Sequence, residues 1–251
     1  MSTVLAAIDN SGQARSVLAV ARAVADAFGA VVEAVHVSAD GHESASASAA
    51  SAGIALRVVS GDPVDQLVAA ASADDVVLAV IGLRDHSAGP RPGGHTVLAV
   101  AERTGTPVVV VPPEVDAARP ITTVLVAVAG DPAETAALQR SVELARGTDL
   151  ELVVVHVDEE IPRFTDQVQH EVAAYTEEFV ARRGRALRGI RLELRLGTAA
   201  DEILAAVASE RPGLVAVGWP RSGPPEHGDV VREILAHCRV PSLLVGMNRR
   251  P

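Results

Sequence analysis

The chain has 251 residues, enough for one large or two ordinary domains. Hydrophobic residues make up 48% and aromatic residues 2%, so any core must be packed with Val, Ala, Leu and Ile, which suits parallel strands covered on both faces. A net charge of −10 argues against a phosphate-backbone surface, and hence against nucleic acid as a partner. The single cysteine, Cys238, excludes an internal disulfide framework and fits a reducing compartment. No apolar run approaches the roughly 18 residues of a membrane helix. The N-terminal run is broken by Asp9 and lacks a basic leader, so a soluble, cytoplasmic protein without a membrane partner is expected.

Taken in chain order, strand-like runs fall near 3–8, 31–37, 54–59, 76–81 and 107–111. A helix is predicted over 13–28, with Val17, Val20, Ala21, Val24 and Phe28 on one face. The tract from Ser44 to Ser51 is almost all Ser and Ala, has little side-chain surface to bury, and reads as mobile or weakly helical. Asp62 followed by Pro63 predicts an N-cap and the first position of another helix. A proline-bounded stretch, 112–120, carries little apolar content and reads as a linker. Beyond it strands recur near 122–128, 150–157, 190–196, 213–217 and 241–246, with a helix over about 165–183 lined by Val168, Val172, Tyr175 and Phe179.

The second set repeats the first. Val4 and Val124 stand 120 positions apart, and so do His36 and His156, each ahead of a Val at a strand end. A fixed offset across a βαβ opening marks an internal duplication. Gly61 and Gly197, and Gly82 and Gly218, are 136 apart, so the second half holds 16 more residues between its second and third strands. Gly94 and Gly228 are 134 apart, so the second half has lost two residues in the loop after its fourth strand. The expected division is 1–113, a linker 114–120, and 121–251, each half an open α/β sheet.

Residues 4–11, Val-Leu-Ala-Ala-Ile-Asp-Asn-Ser, resemble the strand, Asp, Gly/Asn, Ser opening of universal stress proteins. Residues 56–63, 77–82 and the run from Gly94 to Pro112 resemble that family's third strand, its fourth strand with the phosphate-loop glycine, and its last helix and closing strand. The likeness covers nearly the whole chain as two tandem copies. It implies two mostly parallel five-stranded sheets flanked by helices, of the adenine-nucleotide alpha-hydrolase-like, Rossmann-like class, paired about a pseudo-twofold axis through their closing strands, Pro107 to Val111 and Pro241 to Val245. Those strands would otherwise be exposed edges. Further homo-oligomerisation and an unidentified protein partner are compatible with the same reading.

The resemblance also implies a ligand site. Nucleotide-binding members carry Gly-x-x-Gly, nine residues, then Gly-Ser or Gly-Thr, because glycines let backbone N–H groups approach phosphate oxygens at a helix N-terminus. The first half keeps Asp9, Val37, Gly82, Arg84, Gly94, His95 and Thr96 as candidate nucleotide-binding residues, but Asp85 replaces the second glycine and His95 takes the Ser/Thr place. Pro90 and Pro92 remove two N–H donors. The cofactor implied is ATP or another adenine nucleotide, in the first half alone. In the second half Ala129 stands for Asp9, the shortened loop holds Pro220, Pro224 and Pro225, and Asp229 takes the Ser/Thr place, where a carboxylate would face phosphate. The ordinary reading of Asp229 is a helix N-cap.

No nucleophile elbow, Walker A loop or dinucleotide fingerprint occurs, so no catalytic residue is assigned. Asp229, Glu233 and His237 share a helix face, an arrangement a solvated acid–His pair explains without a metal. His36 and His156 read as structural, and Cys238 as a buried small hydrophobe. The expected function is a stress-response, regulatory binding module with degenerate nucleotide sites, not an enzyme. The alternatives are an ATP-binding switch working through the first half and a weak hydrolase of bound nucleotide.

Overall fold

The computed structural model describes residues 2–38, 41–83, 95–115, 119–128, 141, 143, 148–158, 190–220 and 228–247. Ten strands are β1 Thr3–Ala7, β2 Val31–Ser38, β3 Ala55–Ser60, β4 Val76–Gly82, β5 Val108–Val111, β6 Thr123–Val128, β7 Glu151–Asp158, β8 Ile190–Leu196, β9 Leu214–Pro220 and β10 Ser242–Met247. The helices among the described residues are α1 Ala14–Phe28, α2 Glu43–Ala52, α3 Pro63–Ala71, α4 His95–Arg103, α5 Ala199–Glu210 and α6 Asp229–His237. The fourth strand of the second half runs to Pro220 rather than stopping at 217, because β10 continues alongside it to Met247. The predicted helix over 165–183 lies outside the described residues.

The strands form one sheet in the order β3-β2-β1-β4-β5-β10-β9-β6-β7-β8. Every neighbouring pair is parallel except β5 and β10, which are antiparallel with Leu243 opposite Val109. The second half thus repeats the first in mirrored order, as a pseudo-twofold axis between β5 and β10 requires. The expectation of two five-stranded units joined through their closing strands is met, the seam making them a single sheet.

Successive residues of a strand point to opposite faces, and the hydrophobic runs divide accordingly. Val4, Leu78, Val80, Val109, Val126 and Leu243 lie in the layer under α1 and α2. Leu5, Ala79, Ile81, Val110, Val153 and Leu244 lie in the layer that includes residues of α3 to α6. Both layers contain residues of both halves, so the core runs across the seam. Near-continuous Val/Leu/Ile strands are what burial on two faces demands, and Val108 to Val111 are at most 1% exposed.

Local signals account for the helices. α1 buries Val17, Val20, Ala21 and Val24, and Gly29 closes it at φ 65°, the left-handed conformation that glycine adopts without steric cost. At α3, Asp62 accepts from the Asp65 N–H at 3.1 Å and Pro63 opens the helix. The Ser/Ala tract departs from its expectation. It forms the ten-residue helix α2, with Ala45 and Ala49 buried, packed against α1. Small side chains here are the means of close helix approach, and nearly every residue in the tract is a tolerable helix former.

The outer strands, β3 and β8, carry charge. Arg57 pairs with Glu33 at 2.9 Å, and Arg191 bonds Glu210, which holds the Glu210 carboxyl below the usual glutamate range. Such charges discourage edge-to-edge pairing. No described helix is long and apolar enough to cross a membrane.

Candidate functional site

In an open parallel sheet the crevice lies beyond the carboxyl ends of the strands, where successive connections depart to opposite sides. In the first half that point flanks β1, which has β2 on one side and β4 on the other. Antiparallel pairing of β5 with β10 sends the second half's carboxyl ends to the opposite edge of the sheet.

Asp9 stands two residues past the end of β1, half-buried. Its Oδ1 accepts from the Ser11 N–H at 2.9 Å and from the Ser11 hydroxyl at 2.5 Å. This turn holds the carboxylate just beyond the carboxyl end of β1 and engages one of its oxygens. Val37 lies in β2 beyond the last residue that pairs with β1. Because the Ile8 N–H donates to Val35 O, Val37, two residues on, turns its backbone groups toward the same side, past the end of β1. Gly82 is the last residue of β4. His95, exposed, and Thr96, half-buried, open α4, whose first turn offers backbone N–H groups. Arg84 and Gly94 lie outside the described residues, as do Ala129 and the loop residues Pro224 and Pro225.

Several long-range contacts at this end of the sheet had no sequence signal. Asn10 accepts from the Ala45 N–H at 3.0 Å and donates to Gly41 O at 3.1 Å. It caps α2 from 35 residues away, where the local N-cap His42 makes no side-chain bond. Ser38 also donates to Gly41 O, at 3.0 Å. Gly41 itself has φ 114°, and a Cβ there would meet Glu43 Oε2 at 2.7 Å. Gln13 donates to Leu83 O at 2.9 Å and to Val111 O at 3.1 Å. A Cβ on Gly82 would meet Gln13 Oε1 at 2.8 Å and Val17 Cγ2 at 3.1 Å. A side chain at 82 would therefore displace the Gln13 amide and press on Val17, before any ligand is considered.

The duplicated histidines are structural. His36 Nδ1 bonds Ile8 O at 2.9 Å and His156 Nδ1 bonds Val128 O at 3.0 Å. Each ties the end of one strand to its neighbour at equivalent positions of the repeat.

In the second half, Asp229 is not the N-cap. Gly228 holds that position without a side-chain bond, and the Asp229 carboxylate instead accepts from Arg232 at 3.0 Å. The helix begins one residue earlier than the capping signal suggests, which places Asp229 inside its first turn, where it pairs with Arg232. Glu233 faces His237, 3.3 Å apart, and no group of three potential metal ligands is assembled among the described residues. Trp219, 2% exposed, has an indole N–H that finds no partner among the described residues. Such a group costs roughly 1–3 kcal/mol. Cys238, 6% exposed, donates to Val240 O, and burial pushes its thiol pKa up, so it behaves as a small hydrophobe rather than a nucleophile.

The geometry defines a tandem α/β protein whose first half has its switch point at β1, between β2 and β4. The family model of the universal stress protein family matches residues 120–246, and the chain belongs to that family. No curated protein sequence matches it. Among solved structures it is similar over its length to a universal stress protein from Archaeoglobus fulgidus, at 17% identity and TM-score 0.64, covering 98% of this chain and 96% of that one. A functionally unknown protein from Pseudomonas aeruginosa PAO1 aligns at 14% identity and TM-score 0.69, covering 98% and 93%. At these identities the likeness is one of fold.

Proposed function

We propose that this chain is a regulatory binding module of the stress response, without catalytic machinery of its own, in which an adenine nucleotide is taken only by a weakened site in the first half, residues 1–113. Residues 114–120 serve as the linker and 121–251 as a second half without a nucleotide. The observation that supports this reading is that Asp9, Val37 and Gly82 stand at or beyond the carboxyl ends of β1, β2 and β4, which are neighbours in the sheet. Beyond those ends Asp9 would hold the nucleoside, and the loop holding Arg84 and Gly94, with His95 and Thr96 at the start of α4, would face the phosphates. Weakness follows from Asp85 and the two loop prolines, and from the engagement of Asp9 by Ser11. In the second half Asp229 brings a carboxylate to the equivalent helix start, where it opposes phosphate.

The test is isothermal calorimetry of the intact protein with ATP and Mg²⁺. Saturable binding that Asp9→Ala abolishes and Asp229→Ala leaves unchanged is the expected result. A flat titration up to about 1 mM nucleotide, an affinity worth only ~4 kcal/mol, removes the nucleotide from the proposal and leaves the module with another ligand. A second reading, hydrolysis of the bound nucleotide, requires steady phosphate release that is lost with Asp9→Ala.

A further inference from the structure

We infer that Gln13 is a clamp that couples the ligand-site loop of the first half to the seam between the halves. Its backbone N–H faces the Ser11 hydroxyl at 3.3 Å, and that hydroxyl donates to Asp9. Its carboxamide nitrogen donates to Leu83 O at 2.9 Å and Val111 O at 3.1 Å. Both neighbours are carbonyl oxygens, so the orientation of the amide is fixed by chemistry: only the nitrogen end can face them. Leu83 is the first residue beyond Gly82, at the exit from β4. Val111 is the last residue of β5, the strand that pairs with β10.

Val111 O also accepts the Leu83 N–H, at 2.8 Å. One carbonyl thus receives both the backbone of the exit from β4 and the side chain from the β1 loop. The rest of the Gln13 amide lies against Gly82, with Oε1 2.8 Å from where a Cβ would stand. A shift of the Asp9–Gln13 turn therefore moves the donor that holds the ends of β4 and β5 together. The seam extends from β5 through only three paired positions, Val110 with Ser242, Val109 with Leu243 and Val108 with Leu244. A short ladder held at one end by a side chain responds to loss of that side chain. Gln13 is a positioning residue, and its ligand arm, though not its apo arm, rests on the nucleotide reading above.

The test is amide hydrogen exchange on the full chain, comparing wild type with Gln13→Met, Gln13→Ala and Gln13→Ala/Gly82→Ala. Met keeps the length without the donors. In the double variant the added methyl refills the space over residue 82 without restoring a hydrogen bond. Exchange at Leu83, Val108–Val110 and Ser242–Leu244 is expected to quicken about ten-fold or more, the effect of losing both side-chain hydrogen bonds of Gln13, in all three variants, with β7 and β8 unchanged. Unchanged exchange at those amides overturns the inference. So does recovery in the double variant, which would make the side chain mere filling, and so does an equal rise across β7 and β8, which would make it a general stabiliser. With Mg²⁺ and ATP, wild type should slow at Leu83 and at the seam, whereas Gln13→Met should bind ATP but leave the seam unaffected. ATP that binds without altering the wild-type seam refutes the coupling. ATP that does not bind refutes the nucleotide reading, and the apo comparison then decides the clamp alone.

Discussion

At the scale of single residues, the first-half crevice is organised by side chains reaching far along the sequence. Asp9 meets Ser11 two residues on, a local turn that the Asp-Asn-Ser opening announces. Asn10 and Gln13, three and six residues past β1, find partners 31 to 98 positions away. No periodicity or motif marks such pairs, because only the sheet brings the ends of β2, β4 and β5 together. Asn10→Ala removes the acceptor for the Ala45 N–H and a donor to Gly41 O. It should lower stability by about 1–2 kcal/mol, the range for a lost helix cap. Urea unfolding followed by circular dichroism measures it, and a midpoint equal to that of wild type would contradict the cap assignment.

Among elements, α2 is the one the sequence under-reads. The tract 43–52 has no large apolar residue, so its amphipathic signal is faint, yet Ala45 and Ala49 lie four apart on the face against α1, at 0% and 1% exposure. The helix is decided by a neighbour that needs small partners, and it is closed by Gly53 at φ 65°. Ala45→Leu should overpack this contact and cost roughly 1–3 kcal/mol, whereas Ala47→Leu on the exposed face should stay within about 0.5 kcal/mol. Thermal unfolding of the two variants separates them, and equal midpoints would mean that α2 is not held against α1. The strands, by contrast, are legible to within one to three residues, since burial on both faces leaves continuous Val/Leu/Ile runs bounded by Gly and Pro.

For the whole molecule, the seam makes two repeats into one ten-stranded sheet. Val108 to Val111 are essentially inaccessible, and each valine fully exposed would forfeit on the order of 1.5–3 kcal/mol. Residues 1–113 and 121–251 produced separately should therefore fail to remain monomeric and should associate with each other or with themselves. Light scattering after size exclusion reads this, and two well-behaved monomers would show that the seam contributes little. By itself the sequence determined the duplication, the strand and helix succession, the family and the positions of Asp9, Val37 and Gly82, because each is written in local pattern or in a constant offset. Only the tertiary structure decided that the pairing of β5 with β10 merges both halves into one continuous sheet, that the Ser/Ala tract packs as a helix, that Asp229 turns to Arg232, and that Gln13 holds the ends of β4 and β5. Those outcomes depend on which distant backbone groups and surfaces meet, and that information appears only once the sheet has closed.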